Sequence, residues 1–211
     1  MDIRKQMDDI YRKLPLEKIP WNVTKPPALL VKAVESGKIQ PCRVVDLGCG
    51  AGNYSIWLAQ RGFEVTGLDI SMEAIRIARR QAEDAGVDCE FQMIDLLGDV
   101  SAYESQFDLA IDWEVLHHIF PDDREQFVGN VRRMLRPGGI YFSLCFSEKD
   151  PGFGGEGKFR DTSIGTKLYF SSEEELRSLF SPLFEIEELR TVEIEGKYGP
   201  HLVNAAWLRR E

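Results

Sequence analysis

Residues 44–55 read VVDLGCGAGNYS and place Gly48, Gly50 and Gly52 where a short apolar run gives way to a helical pattern. Glycines at such a junction let the backbone turn sharply and meet a ligand with no side chain in between, the geometry of a nucleotide-type binding loop. The next apolar run ends Gly67-Leu68-Asp69-Ile70. A carboxylate about 20 residues beyond the first glycine can accept both hydroxyls of a ribose. Each feature alone has a plainer reading: the glycines make a tight strand-to-helix connection, and Asp69 caps the helix that follows Ser71. Their spacing and order favour a bound nucleoside. A nicotinamide dinucleotide fold uses the same geometry but wants glycine five places after Gly48, where this chain has Asn53.

Downstream, Gln92-Met93-Ile94-Asp95 ends a third run with a carboxylate able to accept from an exocyclic adenine amine. After a fourth run come Asp112-Trp113-Glu114-Val115 and then His117-His118. Histidine suits proton transfer near neutral pH, so His117 is the one candidate for a catalytic base; the competing reading is that this step supports the turn that follows.

These residues need a scaffold, and the periodicity supplies one. Runs at 43–47, 63–68, 88–94, 107–111 and 140–146 read as strands, alternating with helical stretches at 54–61, 72–85 and 122–135. Arg136-Pro137-Gly138-Gly139 ends the last of these helices. Residues 147–166 carry Gly152, Gly154, Gly155, Gly157 and Gly165 and read as a mobile loop or lid without regular structure. Ser172 starts a final helix, and strands at 184–193 and 202–208 form a closing hairpin. The fold class expected is a doubly wound α/β fold with a mostly parallel seven-stranded sheet. One domain is expected over 1–211: an arm at 1–40 over the sheet's carboxyl edge, a cofactor-binding core at 41–146, a glycine-rich lid at 147–170, and a C-terminal helix and hairpin at 171–211.

Composition narrows the partners. A formal charge of −9 across 211 residues, with no basic stripe, argues against nucleic acid as substrate. No apolar stretch approaches a membrane span and the first residues lack a signal-peptide core, so a cytoplasmic protein is expected. Cys42, Cys49, Cys89 and Cys145 show no metal-ligand spacing, and no metal is expected.

Taken in order, Asp46-Leu47-Gly48-Cys49-Gly50-Ala51-Gly52, Leu68-Asp69-Ile70-Ser71, Asp95, Val115-Leu116-His117-His118 and Leu135-Arg136-Pro137-Gly138-Gly139 resemble the class I S-adenosylmethionine-dependent methyltransferase family across about 100 residues. The resemblance implies that Asp46, Gly48, Cys49, Gly50, Gly52 and Asn53 hold the methionine part of S-adenosylmethionine and Asp69 the ribose. It also implies that Ile70 packs on adenine, Asp95 and Leu96 read the adenine edge, and Trp113 and Glu114 line the wall near the sulfonium. More loosely, Ile19-Pro20-Trp21 before Pro26-Pro27, with Tyr169-Phe170-Ser171, resembles thiol, thiopurine or tellurite methyltransferases.

The activity implied is in-line transfer of the sulfonium methyl to a small-molecule acceptor, leaving S-adenosylhomocysteine. Such a methyl is already activated, so alignment and exclusion of water are the main requirements, with no obligatory catalytic residue. Tyr11, Trp21, Phe153, Phe159 and Arg160 are the candidates to line the acceptor pocket. The Asn-Pro-Pro-Tyr or Asp-Pro-Pro-Tyr step of nucleic-acid amino-methylating relatives is replaced by Asp112-Trp113-Glu114-Val115. Two other readings stand beside this one: a regulatory or assembly protein that binds the cofactor without using it, and an NAD(P)-dependent oxidoreductase.

Overall fold

The computed structural model describes residues 3–154 and 156–211, so Gly155 of the glycine-rich segment lies outside the described residues. The chain forms two compact units that divide after Asp99.

The first unit begins with helix α1 (Ile3–Lys13) and helix α2 (Ala28–Glu35), followed by β1 (Arg43–Leu47), α3 (Asn53–Ala59), β2 (Glu64–Asp69), α4 (Met72–Ala85) and β3 (Glu90–Met93). The strands are parallel in the order β3-β2-β1, with Leu47 opposite Leu68 and Asp69 opposite Met93. Val44, Val45 and Leu47 are fully buried, as strands covered on both faces require. Ser71 caps α4 by accepting from the Ala74 amide (3.1 Å), and Gly86 ends it in a left-handed conformation. The face Ala74, Ile75, Ala78 and Ala82 is buried at helical spacing, and the last three of these pack with Phe91 of β3. The arm is helical and tied down: α1 buries Met7, Ile10 and Tyr11, while Asp8 accepts from the Ser71 hydroxyl (2.7 Å) and the Glu73 amide (3.2 Å).

The second unit contains β4 (Phe107–Trp113), α5 (Pro121–Met134), β5 (Leu135–Phe146), β6 (Phe159–Asp161), β7 (Lys167–Tyr169), α6 (Glu173–Phe180), β8 (Glu185–Gly196) and β9 (Gly199–Arg209). Here the order is β4-β5-β9-β8, the first pair parallel and the rest antiparallel. β5 starts earlier than the sequence suggests. Between the pairs Phe107–Leu135 and Leu109–Ile140, β4 advances two residues while Arg136-Pro137-Gly138-Gly139 loops out of the ladder as a bulge. Ser172 and Glu175 form a capping box at the start of α6.

The glycine-rich segment differs from expectation, since β6 and β7 pair within it as a small antiparallel hairpin. The reason is Arg160, which is buried and donates to the carbonyls of Gly157 (3.0 Å), Asp150 (2.5 Å), Gly152 (2.9 Å) and Glu148 (3.1 Å). A single guanidinium thus satisfies backbone that a structureless loop would leave to water. No helix among the described residues is long and apolar enough to cross a membrane.

Candidate functional site

In the first unit the polar groups gather where β1 and β2 end. Gly48, Gly50 and Gly52 have φ of 65°, 53° and 79°, left-handed values that other residues adopt at a cost, so the three glycines are required by the backbone itself. At Gly52 the space is also taken: an added Cβ would meet Ala78 and Phe91 at 3.0 Å. Asp46 is buried and accepts from the Ser55 hydroxyl (2.5 Å), locking the start of α3 to the end of β1.

Asp69 closes the loop from the other side. One carboxylate oxygen accepts from the Gly50 amide (2.9 Å) and the other from the Ser71 amide (2.8 Å). Burial pushes its pKa up to about 6, with the nearby Asp8 charge adding to it, against the pull of the Ser71, Gly50 and Ile70 amides. A carboxylate offers about four acceptor positions, so each oxygen of Asp69 keeps capacity for one hydroxyl of a vicinal diol. The two readings weighed for Asp69, turn-forming and ligand-binding, are therefore compatible in one side chain. Ile70 beside it is half-buried. Asp95 is exposed and accepts from the Leu97 amide (2.9 Å), closing a turn that carries the buried Leu96.

The Cys49 Sγ would lie 2.9 Å from a Cβ placed on Gly67, and the side chain packs with the Ile75–Phe91 cluster. Burial and the charges of Asp69 and Asp46 push its thiol pKa well up.

Of the residues expected at an acceptor pocket, Tyr11 stands over the glycine loop and Trp21 is bonded to that tyrosine. The Trp21 indole donates to the Tyr11 hydroxyl (2.9 Å), and that oxygen sits 2.6 Å from the position a Gly50 Cβ would take. Asn53 donates to Asn22 of the arm (2.8 Å). The docking of the arm was not legible, because Asp8, Tyr11 and Asn22 reach residues 30 to 65 positions away.

In the second unit the end of β4 carries two buried acids in different circumstances. Asp112 accepts from the amides of Val115 (2.7 Å) and Leu116 (3.2 Å) and the hydroxyls of Tyr141 (2.9 Å) and Ser143 (3.0 Å). Sequence reasoning missed this residue, whose role rests on partners in β5. Glu114 has a φ of 69°, and its carboxylate is half-buried with no hydrogen-bond or ion-pair partner among the described residues. Burial, reinforced by the Asp112 charge, pushes its pKa up to about 7. Trp113 is half-buried, with its ring at an edge to Phe142 (6.2 Å).

His117 is buried and stacked on Phe146 (4.5 Å, 12°), with Nδ1 lacking a partner among the described residues. Burial depresses its pKa well below the usual histidine value, and that of His118 to about 4, so both imidazoles are neutral at physiological pH. Arg124 fixes their turn by donating to the carbonyls of Leu116 (3.2 Å) and Ile119 (2.8 Å) and to Ser171 Oγ (2.8 Å). This favours the supporting role for the His117-His118 step.

The three residues expected to line the acceptor site from the glycine-rich segment do not converge. Arg160 is spent on carbonyls and lies over the Phe170 ring (3.9 Å), so it is a clamp and not a substrate ligand. Phe153, at φ 54°, packs against Phe146 (5.4 Å) and His201 (5.5 Å). Phe159 is 52% exposed and turns instead towards Phe120 (5.5 Å) and Tyr169 (4.9 Å).

Comparison with known proteins agrees with this geometry. The family model for a methyltransferase domain matches residues 44–139. The chain is 30% identical over 130 residues to 2-heptyl-1-hydroxyquinolin-4(1H)-one methyltransferase of Mycobacteroides abscessus, covering 61% of this chain and 56% of that one. It is 33% identical over 175 residues to the tRNA N(3)-methylcytidine methyltransferase Mettl2 of Drosophila melanogaster, covering 76% and 54%. The chain thus spans about half the length of these curated relatives. A solved structure described for the conversion of a disulfide bond into a thioacetal group during echinomycin biosynthesis superposes with a TM-score of 0.84 at 26% identity, covering 99% of this chain and 92% of that one. The chain thus carries a methyltransferase domain matched over residues 44–139, and its doubly wound, mostly parallel seven-stranded α/β fold is that of the class I S-adenosylmethionine-dependent methyltransferases, whose cofactor is S-adenosylmethionine.

Proposed function

We propose that this protein transfers the methyl group of S-adenosylmethionine to a small-molecule acceptor by in-line displacement, releasing S-adenosylhomocysteine. The observation that carries the reading is Asp69, held at both oxygens by the Gly50 and Ser71 amides with capacity left for a diol. Bound there, the cofactor supplies a methyl on a positively charged sulfur, so the protein's task is to hold and align. Asp69 accepts from the ribose hydroxyls, Ile70 packs on adenine, and Asp95 with Leu96 reads the adenine edge. Gly48, Gly50 and Gly52 offer backbone to the methionine part, and the Tyr11 hydroxyl stands over that same loop. Burial and the nearby Asp69 charge raise the Tyr11 pKa well above its usual value, so it acts as a neutral donor.

A relative that acts on tRNA raises nucleic acid as an alternative acceptor. The formal charge of −9 opposes it, since phosphate backbones are bound by clustered Lys and Arg.

Calorimetric titration with S-adenosylmethionine, S-adenosylhomocysteine and NADH tests the reading. The first two are expected to bind in the micromolar range and NADH not at all. Asp69→Ala should weaken binding by about 10- to 100-fold, the loss of hydrogen bonds to a charged acceptor. Binding of NADH in preference, or of none of the three, would overturn the proposal.

A further inference from the structure

Tyr11 is buried at 7% exposure, and its hydroxyl accepts from the Trp21 indole (2.9 Å). A hydroxyl also has a proton to give, and this one finds no acceptor among the described residues. An unspent donor in so buried a place costs free energy that a ligand able to accept from it would recover. Its position is fixed from both ends. Asp8, three residues earlier on the same face of α1, accepts from the Ser71 hydroxyl (2.7 Å) and the Glu73 amide (3.2 Å), and Asn22, beside Trp21, accepts from Asn53 (2.8 Å). The Tyr11 oxygen is thereby held 2.6 Å from the place a Gly50 Cβ would take, while the Gly50 amide donates to Asp69 Oδ2 (2.9 Å). Tyr11 and Asp69 thus flank one residue of the loop, and no hydrogen bond joins them.

Resting on the methyl-transfer reading above, we propose that Tyr11 is a specificity-determining residue that reads the ribose of the bound nucleoside, donating to one hydroxyl oxygen while that same hydroxyl donates to Asp69. A hydroxyl is donor and acceptor at once, so an oxygen placed between a phenol O–H and a carboxylate satisfies both. The bonds then run as a chain from the Trp21 indole to the Tyr11 hydroxyl, from there to the ribose hydroxyl, and on to Asp69. Each oxygen that gives its proton away becomes a better acceptor for the donor before it. The carboxylate of an amino-acid tail fits this place less well, since it has no proton for Asp69 and would set a second negative charge beside it.

Both ends of the chain are in the state it needs. Burial, reinforced by the Asp69 charge, keeps the Tyr11 hydroxyl protonated well beyond its usual range. Asp69, raised by burial to about 6, is ionised above neutral pH and accepts. A site built to pair a hydroxyl discriminates against an analogue that lacks it, because the groups that would have paired with it are left buried and unsatisfied.

The test titrates the full chain, as wild type and as Tyr11→Phe, with S-adenosylhomocysteine and its 2′-deoxy and 3′-deoxy analogues at about pH 8, where Asp69 is ionised. Expected is about 10-fold weaker binding of S-adenosylhomocysteine by the variant, the loss of one buried hydrogen bond. One of the two deoxy analogues should be bound equally by both proteins, within about two-fold, since it lacks the oxygen that Tyr11 reads. Equal losses on all three ligands would assign Tyr11 to the amino-acid tail or to docking of the arm, and no loss at all would leave its proton unused; either result overturns the inference. A second readout leaves the binding protein unaltered. In the wild type the Trp21 indole proton, assigned among the four tryptophans by Trp21→Phe, should move downfield in the magnetic resonance spectrum when S-adenosylhomocysteine binds, and less with that same deoxy analogue. An identical shift with all three ligands would again overturn the inference. Failure of the wild type to bind S-adenosylhomocysteine would instead defeat the methyltransferase reading itself.

Discussion

Gly50→Ala, made alone and in a Tyr11→Phe background, tests whether the arm rests on the cofactor loop. Gly50 has a φ of 53°, and forcing a residue with a Cβ into that region costs about 1–2 kcal/mol. The new methyl would also stand 2.6 Å from the Tyr11 hydroxyl oxygen, an overlap that must be relieved by moving a ring whose hydroxyl accepts from Trp21. Overpacking of this kind costs a further ~1–3 kcal/mol. Once the hydroxyl is removed, the nearest ring carbon is 3.7 Å away, an ordinary contact, so only the backbone cost persists. Tyr11→Phe by itself deprives the Trp21 indole of an acceptor, at about 1 kcal/mol. Gly50→Ala should therefore be costlier in the presence of the hydroxyl than in its absence, giving a coupling of about 1–3 kcal/mol in a double-mutant cycle. Urea unfolding midpoints at fixed pH measure it, and calorimetry with S-adenosylhomocysteine shows whether affinity follows. Additive costs, within about 0.5 kcal/mol, would mean that Tyr11 does not touch the loop in solution and would remove the arm from the cofactor site.

Two further perturbations bear on the second unit. Asp112 has its pKa raised to about 6 by burial, so the native state holds its proton more tightly than the unfolded chain, and its contribution to stability falls as pH rises from about 4 through about 6. Asp112→Asn keeps an acceptor for Val115 and Leu116 and a donor for the hydroxyl oxygens of Tyr141 and Ser143, and it buries no charge. The variant's stability relative to wild type should therefore improve between pH 4 and pH 7 by on the order of 1–3 kcal/mol, read from urea midpoints; a difference independent of pH would contradict a buried titrating carboxyl. Arg160→Lys cannot reach four carbonyls with one ammonium, so limited proteolysis should cut within residues 147–170 at least about ten-fold faster than in wild type, and an unchanged rate would deny the clamp.

What the amino-acid sequence determined by itself is whatever depends on neighbours along the chain. The glycines of residues 48–52 answer to backbone dihedrals, Ser71 and Ser172 cap the helices they precede, and Asp69 reaches amides at Gly50 and Ser71 through a strand-loop-helix unit of fixed length. Local geometry of that kind leaves a readable pattern, so the fold class and the place of Asp69 beside the glycine loop were legible. Tertiary structure alone decided the roles of residues whose partners lie far off in the sequence. Asp112 is pinned by side chains about 30 positions on, Arg124 by Ser171 another 47 away, and Tyr11 stands on a loop some 40 residues downstream. Arg160 looked like a ligand for substrate because a charged residue in a glycine-rich segment has no sequence mark to show that its donors are spent on carbonyls. Nor does spacing reveal that Glu114 has no hydrogen-bond partner for its side chain among the described residues while Asp112 is saturated, since both are acids at the end of one strand. Hydrogen-bond saturation depends on which distant groups packing brings within about 3 Å, and no local pattern encodes that.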